Sequence, residues 1–320
     1  MFLKSDGSLW AMGNNDYGQL GDGTFNAANE PEQIVSTGVV AIAAGFWHSL
    51  FIKADGSLWG MGWNATGQLG DGTTNNVNKL EQMISNEVVA VAAGGLHSLF
   101  VKTGGGLWGM GGNAEGQLGD GTFNKMTNVP EQVVFSNVVA IAAGADHSLF
   151  LTSNGSPWAM GRNDYGQLGD GTTNDTNKPE QIVSNGVVAI ATKGLHSLFL
   201  KSDGSLWAMG DNEYGEDGDG FTNASPSIGN SPRPEQIVPS PQPKLMAGIL
   251  SETNLQFQAT CNFGGMFSLL ASTNLTQPLN QWTPVWTNIV TARGTDNFTV
   301  TLTNALDSGA GRRFYILQSQ

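Results

Sequence analysis

A Leu-Trp or Pro-Trp pair recurs at Trp10, Trp59, Trp108, Trp158 and Trp207, in steps of 49, 49, 50 and 49 residues. A His-Ser-Leu-Phe tetrad starts at His48, His97, His147 and His196. Gly-Gln-Leu-Gly-Asp-Gly-Thr occupies 18–24, 67–73, 116–122 and 166–172, and a Glu-Gln pair closes each unit at 32, 81, 131, 180 and 235. Markers that stay in phase over five units require a repeat architecture. Each unit is then one supersecondary piece that buries its apolar face only against its neighbours.

One unit reads as four short strands. Val39 to Ala44 is almost continuously apolar and ends at Gly45, the pattern of a strand buried on both faces. His48 to Lys53 is the second strand. Asp55-Gly56 then marks a hairpin turn, because glycine supplies a positive φ without steric cost. Leu58 to Gly62 is the third strand, a long polar loop follows, and a short fourth strand lies around Glu81 to Ile84. Four strands in about 40–50 residues with glycine-rich turns is the period of a propeller blade. No segment holds the 3.6-residue period of a helical solenoid.

Composition narrows the function classes. Of 320 residues 44 are glycine, 13% are charged and 39% are hydrophobic, enough apolar material for a real core. The formal charge of −13 opposes phosphate backbones, so neither nucleic acid nor an anionic membrane is an expected partner. The single cysteine, Cys261, excludes an internal disulfide and a cysteine zinc cage. No apolar run reaches membrane-spanning length, so no membrane insertion is expected. The opening Met-Phe-Leu-Lys-Ser-Asp-Gly lacks the apolar stretch of a signal peptide.

Taken together, Ala-Ala-Gly-x-x-His-Ser-Leu and Asp-Gly-x-Leu-Trp-x-Met-Gly-x-Asn-x-x-Gly-Gln-Leu-Gly resemble the repeat of the regulator of chromosome condensation family, over residues 1 to about 240. The resemblance implies a β-propeller, usually seven-bladed. The best-known member exchanges nucleotide on a small GTPase and binds nucleosomes, and bacterial relatives include a protein inhibitor of β-lactamases. Seven blades of 49 residues would need more than the 320 residues present, so the expectation is all-β with about five four-stranded blades. These either close a compact ring or form part of a seven-bladed one. In the closed case Lys244 to Ile249 would supply the inner strand missing from blade one.

The expected domains are propeller repeats over 1–238, a proline-rich linker over 239–244 and a small antiparallel β-sandwich over 245–320. From residue 246 onward three arginines balance three acids, so the propeller part holds the whole charge of −13. The tail alternates on a strand period, as in Leu255-Gln-Phe257-Gln-Ala259. Ala271-Ser-Thr-Asn-Leu275, Trp282-Thr-Pro-Val285 and Arg313-Phe-Tyr-Ile316 resemble a C-terminal module of exported bacterial proteins. That resemblance implies an extracellular or cell-surface location, with the cytoplasm as the alternative.

Candidate sites divide by periodicity. His48, His97, His147 and His196 stand one per unit, and equivalent atoms spread around a ring do not meet in one metal shell, so their expected role is structural. Trp10, Trp59, Trp108, Trp158 and Trp207 read as packing between blades. Trp47 and Trp63 occupy slots that vary between units and are the binding candidates. Asp22, Asp71, Asp120 and Asp170 are single carboxylates between glycines, read as turn residues rather than calcium ligands. No metal, cofactor or catalytic set is expected, and motifs for serine hydrolases, zinc proteases and P-loops are missing. The leading expectation is a non-enzymatic protein-interaction or scaffold module built on propeller loops. Nucleotide exchange on a small GTPase and a lectin-like, glycan-binding propeller are the alternatives.

Overall fold

The computed structural model describes residues 1–216 and 232–237 in full and, beyond them, the backbone of the strands up to Ser319. The linker at 239–243, most of the expanded loop at 221–234 and the side chains of the tail lie outside the described residues. The chain divides into two units: Met1–Ser202 with Leu206–Ile237, and Val238–Gln320 with Asp203–Ser205.

In the first unit the repeat becomes five antiparallel sheets in chain order, with only strands, turns and bends among the described residues. The first sheet is β1 (Phe2–Leu3), β2 (Leu9–Gly13) and β3 (Ala28–Val35). The second is β4 (Val39–Ala44), β5 (His48–Lys53), β6 (Leu58–Gly62) and β7 (Val77–Ile84). The third is β8 (Val88–Ala93), β9 (His97–Lys102), β10 (Gly106–Gly112) and β11 (Met126–Val134). The fourth is β12 (Val138–Ala143), β13 (His147–Thr152), β14 (Pro157–Gly161) and β15 (Thr176–Gln181). The fifth is β16 (Val187–Lys193), β17 (His196–Lys201), β18 (Leu206–Gly210) and β19 (Ser231–Val238). Each sheet is a meander, the simplest way to pair strands joined by short hairpins.

Three expectations need correction. The fourth strand is twice its expected length, because after a register shift Gly62 pairs with Val77. The innermost strands β4, β8, β12 and β16 lie side by side, yet they are not buried on both faces. Their first valine is buried, while Val40, Val89, Val139 and Val188 are each 55–59% exposed. Finally, Lys244–Ile249 (β20) does not complete the first sheet. It pairs in full register with Leu255–Cys261 (β21), to which a five-residue connection joins it.

In the second unit β20 and β21 form a sheet with a later strand, Asp296–Leu302, in which β21 is central. A second three-stranded sheet centres on Gly265–Ser272, flanked by Thr283–Val290 and Phe314–Ser319.

The core of the first unit lies between sheets. Leu50, Ile52, Leu58 and Leu69 of the second repeat pack on Val88, Phe100 and Met110 of the third. The same residue types recur at the next two junctions. Burial of this kind, at about 25 cal/mol per Å² of apolar surface, is the main force holding successive blades. The polar loops add interlocks. The amides of Gly23, Gly72 and Gly121 donate to the carbonyls of Asn78, Asn128 and Asn177 one repeat further on, each at 2.8 Å. The hairpin-turn glycines Gly7, Gly56, Gly105 and Gly155 also accept from the start of the next inner strand, as when Val88 N donates to Gly56 O at 2.9 Å.

That last contact sets an unusual backbone. The residue before the inner strand has φ of +84° at Gly38 and +85° at Gly186, but Glu87 and Asn137 hold the same conformation at +68° and +72°. Asparagine tolerates it, whereas glutamate pays for its Cβ. Glu87→Gly should therefore stabilise the protein by about 0.5–1 kcal/mol, after allowing for the freer unfolded chain. A urea midpoint that falls instead of rising would count against this.

Candidate interaction surface

The repeated histidines join one sheet to the next. His48 Nε2 lies 2.9 Å from Ser98 Oγ, His97 Nε2 2.9 Å from Ser148 Oγ, and His147 Nε2 2.9 Å from Ser197 Oγ. Each serine donates its own proton to a loop carbonyl, those of Gln68, Gln117 and Gln167, at 2.7–2.9 Å. The serine must therefore accept from histidine, so Nε2 carries the proton and Nδ1 is a bare acceptor. Nδ1 of His48, His97 and His147 is buried without a partner. Burial pushes His48 down to about 4. His97 falls to about 3 by burial and the charge of His48, and His147 to about 3 by burial and its two histidine neighbours. His196 is different: it is half-buried, and the described residues contain no serine of a following repeat.

The glycines before the tetrads make room for these rings. Gly45, Gly94 and Gly144 meet Phe46, Lys193 and Gly194 around a cavity of about 120 Å³ at the ends of the inner strands. In the fifth sheet Lys193 pairs with His196, the place a glycine fills elsewhere.

The repeated tryptophans are half-buried rather than interior. Each stacks on the cross-strand phenylalanine of its own sheet, with centroids 6.0–6.4 Å apart and planes within 12°. Lys4, Lys53, Lys102 and Lys201 cover Trp10, Trp59, Trp108 and Trp207 at 3.9–5.1 Å, and Thr152 takes that place beside Trp158. In four of the five sheets the indole thus lies between a phenylalanine ring and a lysine ammonium, a cation–π arrangement.

The loop aspartates are occupied by their own turns. Asp22 accepts from Thr24 N at 2.8 Å, Thr24 Oγ1 at 2.7 Å and Asn15 Nδ2 at 3.1 Å. Asp71, Asp120 and Asp170 repeat this with Asn64, Asn113 and Asn163. These asparagines are almost fully buried, and they also accept from the leucine amide of the loop, as Asn64 Oδ1 does from Leu69 N at 2.9 Å. They are organising residues: the repeat pattern Met-Gly-x-Asn contains them, but their role emerges only from these bonds.

Where the framework varies, four unlike stations result. Trp47 and Trp63 are neighbours, since Trp63 N donates to Trp47 O at 2.8 Å. Tyr17, from the preceding repeat, meets Trp47 edge-on at 5.5 Å and Trp63 at 6.2 Å. Trp47 is 41% exposed and Phe46 beside it 53%. At the next junction the equivalent residues are Thr66, Leu96 and Gly112, with Thr66 Oγ1 donating to Leu96 O at 3.0 Å. At the third they are Glu115, Asp146 and Arg162. Arg162 binds Asp164 through two hydrogen bonds of 2.6 and 2.8 Å and lies 3.7 Å from Asp146. Burial, the bond to Asp175 and its charge hold Glu115 above the usual carboxylate range. Burial and the charge of Asp164 outweigh Arg162 and raise Asp146 as well. At the fourth station Tyr165, Leu195 and Asp211 stand in these places, with Arg162 5.5 Å from the Tyr165 ring.

Comparison with known proteins agrees with this architecture. The model of the RCC1-like domain family matches residues 1–270. No match is found among the curated proteins. Among solved structures, human WBSCR16 is similar at 24% identity and a TM-score of 0.62, covering 81% of this chain and 74% of that one. Yeast RCC1 (Prp20), in a complex with Kap60, is similar at 21% identity and a TM-score of 0.65, covering 74% of this chain and 58% of that one. Prp20p from Saccharomyces cerevisiae, described with its binding properties to Gsp1p and histones, is similar at 20% identity and a TM-score of 0.63, covering 82% and 68%. At these identities the shared feature is the propeller fold.

Proposed function

The chain belongs to the RCC1-like domain family, and we propose that its first unit works as a non-enzymatic protein-interaction module, with the four junction stations as its contact surface. One observation carries this reading. The inter-sheet framework repeats almost unchanged, while the stations beside it carry different chemistry, and one of them groups three aromatic rings of which Trp47 is exposed. A rigid scaffold that presents variable side chains is suited to recognition. Partly exposed tryptophan is also the side chain most often found at the centre of binding energy. Yeast Prp20, which shares the fold, was solved with a protein partner, Kap60.

Photo-crosslinking in the native cell tests the proposal. A benzophenone side chain at position 47 should yield discrete protein adducts. The same group at position 135, where Phe135 is 81% exposed at the opposite end of the sheets, should yield none. Trp47→Ala should then weaken the captured partner by about 2 kcal/mol or more while changing stability less. Equal labelling at both positions, or none at 47, would overturn the reading. Nucleotide exchange, the alternative that family membership also allows, predicts faster release of labelled GDP from a small GTPase, and that assay separates the two.

A further inference from the structure

The stations differ from the rest of the surface in how their charge and π-faces are satisfied. Four of the five repeated indoles carry a lysine from their own sheet. Among the described residues no lysine or arginine stands over Trp47, Trp63 or Tyr17, although Trp47 is among the exposed large apolar residues. Two junctions along the same end of the sheets, Asp146, Asp164 and Glu115 surround the guanidinium of Arg162, and Asp175 lies beside Glu115. Burial first, and neighbouring carboxylates second, make both Glu115 and Asp146 harder to ionise than an ordinary carboxyl. The part of the sequence that contains these stations also holds the whole formal charge of −13.

An apolar partner surface alone would leave those carboxylates uncompensated, and an acidic one would be repelled. From the cation-free aromatic group, and from the acidic station two junctions along the same end, we infer that the station surface takes a basic polypeptide segment. In this arrangement a lysine or arginine of the partner packs on the Tyr17–Trp47–Trp63 rings, and further cations face the Glu115–Asp146 station. The attraction of a cation to the ring faces supplies the anchor. Long-range charge supplies steering, which added salt weakens. This deepens the interaction-module reading and rests on it.

The test uses the full chain and three fluorescent pools of 12-residue peptides. All three pools share aromatic and aliphatic positions; the remaining positions are lysine and arginine, serine and glutamine, or aspartate and glutamate. Fluorescence anisotropy should show the basic pool binding at least tenfold more tightly than the other two, with affinity falling as salt rises. Trp47→Leu keeps an apolar side chain but removes the π-face, and should erase most of the preference for the basic pool. The double variant Glu115→Gln with Asp146→Asn should reduce both the affinity and its salt dependence. Thermal melting of each variant confirms that the fold is retained. If no pool binds, or if the neutral or acidic pool binds as well as the basic one, the inference is overturned. Crosslinking at position 47 would in that case still decide the interaction-module reading separately. Unchanged preference in Trp47→Leu would also overturn it.

Discussion

Replacing Gly94 with alanine is expected to lower the unfolding free energy by about 3 kcal/mol or more, at the upper end of what overpacking costs. The backbone at Gly94 is ordinary, so the penalty is purely steric. An added Cβ would collide with Cε1 of His97 and would sit 2.6 Å from both His97 Nδ1 and the carbonyl of Gly144. None of these neighbours can yield cheaply. The imidazole is fully buried and tied to Ser148 at 2.9 Å, and the Gly144 carbonyl accepts from Gly95 N at 3.0 Å. The substitution therefore pushes two sheets apart at once. Gly104→Ala is the informative comparison, with no atom within 4 Å but a φ of +95°, so only backbone strain of about 1 kcal/mol opposes it. Urea unfolding of the two variants separates the mechanisms. A loss below about 1 kcal/mol for Gly94→Ala would mean that the junction is looser than its geometry indicates.

The contrast between these glycines also marks what can be read from sequence and what cannot. The extents of β4, β5 and β6 follow from apolar runs and the Asp-Gly turn, because hairpin geometry is local. The partner of each histidine is not local. His97 reaches a serine 51 residues away, one full repeat further on. The repeat itself carries the pairing, since Ser98, Ser148 and Ser197, each next to a histidine, serve the histidine of the preceding sheet. Trp47 and Trp63 could have been paired from the register that sets His48 opposite Gly62. Tyr17 could not, because it comes from a different sheet and only inter-sheet packing brings it there. The exposed Val40 shows the opposite failure. Hydrophobic runs report propensity for a strand, whereas exposure depends on which other elements cover each face, and no local pattern encodes that.

The other large effect concerns acid. His48, His97 and His147 are neutral in the folded protein, with values pushed down to about 4, about 3 and about 3. In the unfolded chain they titrate near 6.5. Between about pH 6.5 and 4 the unfolded state therefore binds protons that the folded state refuses. Stability is fully present above 6.5 and is lost as pH falls through that window. Three such groups give a slope approaching three protons, or about 4 kcal/mol per pH unit near pH 5. The accumulated loss between pH 7.5 and 5 is then about 6 kcal/mol, comparable to the whole stability of many domains. Glu115 and Asp146 act in the opposite sense. Their raised values let the folded state bind protons first, which offsets part of the loss close to the carboxylate range and leaves the slope between pH 6.5 and 5.5 to the histidines. Urea unfolding at closely spaced pH values measures this slope directly. His97→Gln should remove one proton from it while also weakening the junction at neutral pH, where the bond to Ser148 is lost. A slope of one proton or less in the unmodified protein would show that these imidazoles reach water or an acceptor for Nδ1, and the one-way His–Ser–carbonyl relay between sheets would have to be abandoned.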